Sequence, residues 1–99
     1  MQTISALELK QRLDRGEKLH IIDVREPSEY EHVNMGAKLI PLGQLLAGQI
    51  EELEPLRNEE IIIHCRSGMR SMQACMYLEQ LGFKHTTNLA GGILAWSAL

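Results

Sequence analysis

The segment that limits the possible fold most strongly begins with three consecutive isoleucines at residues 61–63. Such an unbroken apolar run is typical of a strand buried on both faces. A short segment with two arginines and a glycine follows at residues 64–71, and apolar residues then recur at helical spacing over 72–81. The sequence therefore predicts a buried strand, a loop and a helix in direct succession, with Cys65 where the strand ends.

Strand and helix patterns alternate along the rest of the chain. Ser5 and Glu8 form a capping box that predicts a helix ending near Gly16. Further helices are predicted at residues 27–32, 43–54 and 93–99, and further strands at 19–24, 37–41 and 85–89. Alternation of this kind predicts an α/β fold with a mostly parallel sheet and helices on both faces.

The helix predicted over residues 72–81 carries Met72, Cys75 and Leu78 at a spacing of three. This stripe predicts a core-facing side, on which the methionines fill gaps between other apolar side chains. Cys75 lies on the stripe, so we expect a buried and unreactive thiol.

Composition excludes several classes of protein. A chain of 99 residues is expected to form one domain over residues 1–99. Its net charge of −3, without a basic block, argues against a general binder of nucleic acid or of anionic membranes. It has no apolar run near the roughly 20 residues of a membrane span and no recognisable secretory signal. We therefore expect a cytoplasmic protein whose two cysteines are free thiols.

The chemistry of residues 64–71 centres on Cys65. Amides at a helix start are unpaired and lie at the positive end of the helix dipole, and with neighbouring cations they lower a thiol pKa from about 8.5 to about 3.5–7.5. Gly68 allows the backbone to approach an anion closely. Arg70 is predicted to hold an oxyanion or the loop carbonyls, and Ser71 to donate to the sulfur or to cap the helix. A thiolate nucleophile in an anion cradle is the resulting prediction.

Two other functions of these residues, a cysteine protease and a zinc site, are not supported by the sequence. His64 would have to serve Cys65 in a cysteine protease, but adjacent strand residues point to opposite faces, and no Asn or Asp is evidently placed to orient the imidazole. A zinc site would need paired ligands, and the chain has neither a Cys-x-x-Cys motif nor two histidines at helical spacing. We expect neither a metal nor a cofactor.

Asp23 and Arg25 follow the strand predicted at residues 19–24. Ligands of open parallel sheets gather beyond the carboxyl ends of strands, so these residues are placed where function is common. An ion pair that ties one strand end to its neighbours is the alternative, and it is the more frequent arrangement.

Three motifs in this order resemble the single-domain rhodanese family. They are Asp23-Val24-Arg25-Glu26-Pro27 with Glu29-Tyr30, Cys65-Arg66-Ser67-Gly68-Met69-Arg70-Ser71, and Asn88-Leu89-Ala90-Gly91-Gly92 with Ala95-Trp96. The resemblance extends from about Ile4 to Trp96. The segment at residues 32–41 is one residue shorter than in many members, and in this respect the chain is similar to rhodanese domains fused to the adenylyltransferases of sulfur-carrier proteins.

The resemblance implies a five-stranded parallel sheet flanked by helices and a sulfurtransferase (rhodanese-type) mechanism. Cys65 would be the catalytic residue, taking a sulfane sulfur from a small anionic donor such as thiosulfate as a persulfide. A thiol, cyanide or a sulfur-carrier protein would accept the sulfur. Asp23 and Arg25 would support the loop. Residues expected to bind donor and persulfide are Arg66, Ser67, Gly68, Met69, Arg70 and Ser71.

Two alternatives remain open at this stage. Related cysteine phosphatases and arsenate reductases place five residues between the cysteine and the arginine, whereas four separate Cys65 from Arg70. The shorter loop favours a single sulfur over a tetrahedral oxyanion. A domain of the same fold could also act as a regulatory or carrier module with little turnover, because a fold does not determine an activity.

Overall fold

The computed structural model describes all 99 residues, and its centre is one five-stranded sheet in which every neighbouring pair is parallel. The strand order is β1-β5-β4-β2-β3. This arrangement confirms the predicted α/β class and the five-stranded parallel sheet. The strands are β1 (Gln2–Ile4), β2 (His20–Asp23), β3 (Lys38–Leu39), β4 (Ile61–His64) and β5 (Thr86–Leu89).

Helices cover both faces of the sheet, as the alternating pattern predicts. Ile22, Ile61 and Ile63 belong to a core on one face, and Ile62 and Leu89 belong to a core on the other. The two cores follow from β geometry, because successive side chains of a strand point to opposite faces. The helices are α1 (Ala6–Asp14), α2 (Pro27–His32), α3 (Leu42–Leu46), α4 (Met69–Gln80) and α5 (Gly92–Ser97).

The first strand was absent from the pattern of predicted elements. β1 has three residues, of which Gln2 and Thr3 are exposed and only Ile4 is buried. Such a short and polar segment shows no alternation of apolar and polar residues from which a strand could be predicted. Pairing with β5 stabilises it, with Ile4 in register with Leu89.

The single helix predicted over residues 43–54 is wrong. The chain forms α3, leaves the helical path at Gly48 with φ of +81°, and resumes as a 3₁₀ helix over Glu51–Leu56. Glycine adopts this left-handed conformation without the steric cost that other residues incur. Leu45 and Leu53 are still buried, so the apolar spacing indicated the core correctly but not the continuity of the helix.

The predicted packing of the methionines is also wrong. Met72 is 42% exposed, Met76 55% and Met69 80%, whereas Ala74, Cys75 and Leu78 are buried. The buried face of α4 is therefore rotated away from Met72. Cys75 is buried as predicted, and burial raises the pKa of its thiol to about 11.

β4 is the central strand, so its carboxyl end lies in the middle of the sheet edge that also receives the ends of β2 and β5. This is the edge at which open parallel sheets place their sites. No helix of the protein combines the length and the apolar character needed to cross a bilayer.

Candidate active site

Cys65 follows β4 directly and begins the loop that leads into α4. Its side chain packs with the apolar core, and the residue is only 1% exposed. Gly68 is the residue that precedes α4, and its φ of +118° turns the loop back towards the sulfur. The structure thus brings the cysteine and the start of the helix together, as the strand–loop–helix pattern predicts.

The loop surrounds the Cys65 sulfur with hydrogen-bond donors. The Gly68 amide donates to Sγ at 3.1 Å, and the amides of Ser67 and Ser71 also act on the thiol. The amides of Arg66, Met69 and Arg70 donate to no backbone carbonyl. Free amides at the start of a 12-residue helix are groups that can donate hydrogen bonds to an anion.

Opposing effects act on the Cys65 pKa, and the hydrogen bonds prevail. Burial raises the pKa of this thiol, whereas the Ser71 hydroxyl and the amides of Ser71, Gly68 and Ser67 lower it, and the net pKa is below its ordinary value. The direction is the one that the sequence predicts. The helix-start amides, one of the two predicted causes, are among the groups that lower the pKa, together with the Ser71 hydroxyl, and they act more strongly than the neighbouring guanidinium groups, which were the other predicted cause.

Arg70 lies beside the loop but is engaged by a carboxylate of α2. Its two terminal nitrogens donate to the Glu29 carboxylate at 2.7 and 2.9 Å. Chiefly because of this bidentate bond, the pKa of Glu29 falls to about 2. Arg70 therefore ties the start of α4 to α2, a contact that reasoning from the sequence did not assign to Glu29.

Arg66 is the exposed cation of the loop. It forms no ion pair with any carboxylate of the chain. Together with Arg25, Glu29 and Leu94 it lines a cleft of about 440 Å³ between α2 and α5. The positive charge of Arg66 is thus unpaired and open to solvent, whereas that of Arg70 is already paired with Glu29.

Asp23 and Arg25 form a buried ion pair at the end of β2. The Arg25 Nη2 donates to Asp23 Oδ2 at 2.8 Å and to the Val33 carbonyl at 2.7 Å, and both side chains are at most 2% exposed. The structure therefore holds these two residues in the ion-pair arrangement.

His64 lies between this ion pair and the loop. Its Nε2 lies 3.6 Å from Asp23 Oδ2 and its Nδ1 lies 3.2 Å from the Cys65 carbonyl oxygen. The expectation that no Asp is placed beside the imidazole is wrong, because the parallel register of β2 and β4 sets Asp23 opposite His64. Both ring nitrogens face these oxygens rather than the thiol, so the arrangement is not that of a cysteine protease.

The start of α5 fixes the outer side of the loop. The amides of Ile93 and Leu94 donate to the carbonyls of Cys65 and Arg66 at 2.9 and 3.2 Å. Gly92 permits this approach, because a Cβ at that position would lie 2.5 Å from both carbonyl oxygens. The sequence predicted only that Gly91-Gly92 turns the chain into the last helix, and the close contact of Gly92 with the loop carbonyls did not follow from it.

Ser71 and Asn88 make the remaining polar contacts of the loop. The Ser71 hydroxyl lies 2.5 Å from Asn88 Oδ1 and 3.4 Å from Cys65 Sγ, and the Asn88 amide donates to the Gly68 carbonyl at 3.3 Å. Sequence reasoning included Asn88 in a motif without giving it a role. The one indication in the sequence was a polar residue on the predicted last strand, where apolar residues are expected.

The family model for the rhodanese-like domain matches residues 5–99. The chain belongs to the rhodanese-like domain family. Solved rhodanese-like domains have the same fold: one from Staphylococcus aureus is 33% identical, with a TM-score of 0.85 over 97% of this chain and 91% of that one. Another, from Anabaena, is also 33% identical, with a TM-score of 0.86 over 99% of this chain and 74% of that one.

Curated relatives of this rhodanese-like domain carry names of sulfurtransferases. "Putative sulfurtransferase YtwF" of Bacillus subtilis is 40% identical and aligns with 97% of this chain and 90% of its own length. "Sulfurtransferase" of Allochromatium vinosum is 37% identical, over 95% of this chain and 86% of its own length. "Probable adenylyltransferase/sulfurtransferase MoeZ" of Mycobacterium tuberculosis is 38% identical over 96% of this chain, which spans 24% of that longer protein.

Proposed function

We propose that this rhodanese-like domain, over residues 1–99, is a sulfurtransferase that carries a sulfane sulfur on Cys65 as a persulfide. The observation that carries the proposal is the position of Cys65 Sγ among the loop amides at the start of α4, with a lowered thiol pKa. Sulfurtransferase names among relatives of similar length support it.

The first step loads the sulfur. The Cys65 thiolate attacks the outer, sulfane sulfur of a donor such as thiosulfate, and a new S–S bond forms. The S–S bond of thiosulfate breaks and sulfite leaves with its electron pair. Cys65 is then a persulfide whose outer sulfur carries the negative charge.

The loop is suited to hold that product. Cys65 Sγ already lies among the loop amides, and an S–S bond of about 2.05 Å is short enough to keep the outer sulfur near them. The amides of Arg66, Met69 and Arg70 have no backbone acceptor, so they can donate to the persulfide anion. Stabilisation of the charged product in this way favours loading.

Arg66 is the cation best placed to receive the donor. Its guanidinium is unpaired, whereas Arg70 is held by Glu29 and would have to leave that carboxylate to bind an anion. A doubly charged donor such as thiosulfate would be attracted by the Arg66 guanidinium, which is open to solvent in the cleft between α2 and α5. Ser67 and Met69, exposed on the same loop, would contact whatever approaches the sulfur.

The second step releases the sulfur. A nucleophilic acceptor attacks the outer sulfur, the S–S bond to Cys65 breaks, and the Cys65 thiolate is restored. Cyanide would give thiocyanate, and a thiol or a protein carrier would take the sulfur in a cell. A relative named "Putative sulfur carrier protein YrkF" of Bacillus subtilis, 39% identical over 95% of this chain and 50% of its own length, supports a sulfur-carrier partner. Such chemistry needs free thiols, which suits a reducing compartment such as the cytoplasm.

Thiocyanate formation from thiosulfate and cyanide tests the proposal. We expect turnover in the wild type and in Cys75→Ser, and none in Cys65→Ser. Arg66→Ala should raise KM for thiosulfate more than it lowers kcat, because Arg66 is proposed to bind the donor. Turnover that persists in Cys65→Ser, or hydrolysis of a phosphate ester faster than sulfur transfer, would overturn it.

A further inference from the structure

The polar contacts behind Cys65 contain one hydroxyl proton and two groups that compete for it. Ser71 Oγ lies 2.5 Å from Asn88 Oδ1 and 3.4 Å from Cys65 Sγ, and all three residues are buried. A serine hydroxyl donates only one hydrogen bond at a time. The direction of that proton therefore depends on which neighbour accepts it more strongly.

The third possible acceptor, the Gly68 carbonyl, is already occupied. It lies 3.1 Å from Ser71 Oγ, but it accepts from the Met72 amide at 3.1 Å and from Asn88 Nδ2 at 3.3 Å. A carbonyl oxygen has two lone pairs, and both are used. Competition for the Ser71 proton is thus between Asn88 and Cys65.

The orientation of the Asn88 amide is fixed by the same carbonyl. Exchange of its oxygen and nitrogen would place Asn88 Oδ1 against the Gly68 oxygen, and two acceptors would then face each other at 3.3 Å. Asn88 Oδ1 must therefore face Ser71. Because Asn88 is only 4% exposed, water offers little replacement for either contact.

We propose that Asn88 is a positioning residue that competes with the Cys65 sulfur for the Ser71 hydroxyl proton. While Cys65 is a thiol, Ser71 donates to Asn88 and its oxygen accepts from the thiol. When the thiol proton leaves to solvent, the hydroxyl turns to the anionic sulfur and its bond to Asn88 breaks. Ionisation of Cys65 therefore carries the cost of an unpaired, buried Asn88 oxygen.

The same competition would take place during the proposed sulfur transfer. The functional importance of Asn88 therefore rests on that proposal. In the persulfide the charge lies on the outer sulfur, so the Ser71 proton returns to Asn88. When the acceptor removes the outer sulfur, Cys65 departs as a thiolate and the proton turns towards it. Asn88 thus favours the loaded form over the free thiolate.

Alkylation of Cys65 by iodoacetamide as a function of pH tests the inference without sulfur transfer. We expect Asn88→Ala to lower the midpoint of the profile and to raise the rate below that midpoint about threefold, since one competing hydrogen bond is removed. Cys75→Ser serves as the background, so that only Cys65 is labelled.

A double-mutant cycle separates this effect from damage to the loop. In a Ser71→Ala background no hydroxyl proton is available, and Asn88→Ala should leave the midpoint where Ser71→Ala alone places it. An equal shift in both backgrounds, or a midpoint raised by Asn88→Ala, would overturn the inference.

Asn88→Asp provides a second cycle if Asn88→Ala does not fold. The carboxylate accepts the Ser71 proton more strongly, and its charge also disfavours the thiolate. We expect a raised midpoint in both backgrounds, with the larger increase where Ser71 is present. An increase of the same size in both would contradict competition for the hydroxyl. A failure of sulfur transfer would leave these outcomes unchanged, so the two proposals fail separately.

Discussion

At the scale of single residues, the thiolate of Cys65 depends on close hydrogen-bond donors more than on nearby positive charge. Burial raises the pKa of this thiol, but the Ser71 hydroxyl and three loop amides outweigh burial and lower it. Arg66 lines an open cleft, where water screens its charge, and Arg70 shares its charge with Glu29. Reasoning from the sequence named the helix-start amides and the two arginines together as causes, because the residue types can be read from the chain but the distances that rank their effects cannot.

Substitution of Ser71 and of Arg66 compares these two influences. Ser71→Ala should raise the pKa of Cys65 clearly, since it removes the side-chain donor, and Arg66→Ala should raise it less. Alkylation rates measured against pH on a Cys75→Ser background give both midpoints. A larger increase for Arg66→Ala than for Ser71→Ala would show that charge, and not the hydroxyl, controls the thiol.

At the scale of elements, the cysteine loop is held by the starts of two helices. The residues at and just before the start of α4 supply the amides that face the sulfur, and α5 donates the amides of Ile93 and Leu94 to the carbonyls of Cys65 and Arg66. The loop thus has its carbonyls satisfied from one side while its amides remain available on the other. This division lets the loop keep donors free near the buried sulfur while the carbonyls of Cys65 and Arg66 are paired.

Gly92→Ala tests the contact between α5 and the loop. Gly92 has φ of +55°, and an added Cβ would lie 2.5 Å from the Cys65 and Arg66 carbonyl oxygens, so α5 or the loop must move. We expect a loss of about 2–4 kcal/mol in the free energy of unfolding and a marked loss of Cys65 reactivity.

Gly43→Ala is the matched control for this substitution. Gly43 lies in α3 without a positive φ, and a Cβ added there would have no neighbouring atom within 4 Å. Alanine at this position should be neutral or stabilise the protein by up to about 1 kcal/mol. Urea unfolding of both variants gives the comparison. Equal stabilities for the two would mean that the close approach at Gly92 does not restrain the loop.

At the scale of the whole molecule, the fold could be largely predicted and the site only in part. Unbroken apolar runs such as residues 61–63 indicate strands buried on both faces, and their alternation with helices predicts the parallel sheet. The break at Gly48 and the exposure of Met72 depend on how the segment as a whole packs, which local spacing does not record. β1 becomes a strand only by pairing with β5.

The position of the site could be predicted from the local sequence, but its contacts between distant segments could not. Its position after β4 follows from a cysteine at a strand end beside a glycine-containing loop. Its contacts join separate segments, such as Glu29 with Arg70 and Ser71 with Asn88. Those pairings arise only when β2, β4 and β5 meet at one edge of the sheet, so no local pattern could assign them.

The Glu29–Arg70 pair links α2 to α4 and makes stability depend on pH. The pKa of Glu29 falls to about 2 in the folded protein, while an unfolded Glu titrates near 4.3. Its stabilising effect is therefore complete above about pH 5 and is lost as the pH falls from about 4 towards 2. We expect wild type to exceed Glu29→Gln by up to about 1 kcal/mol at pH 6, because the pair is partly exposed.

Urea unfolding of both proteins at pH 6 and at pH 3 measures this difference. The gap between them should narrow at the lower pH. A gap that stays constant would show that Arg70 does not favour the charged form of Glu29.

The intact mass of the protein after incubation with thiosulfate, in the absence of an acceptor, tests the central proposal most directly. We expect one added sulfur atom in the wild type and in Cys75→Ser, no addition in Cys65→Ser, and loss of the added sulfur when a thiol acceptor is supplied. The high pKa of Cys75 makes it a suitable internal control. An unchanged mass with thiosulfate and with every other sulfane donor, or an added sulfur that persists in Cys65→Ser, would contradict the proposal.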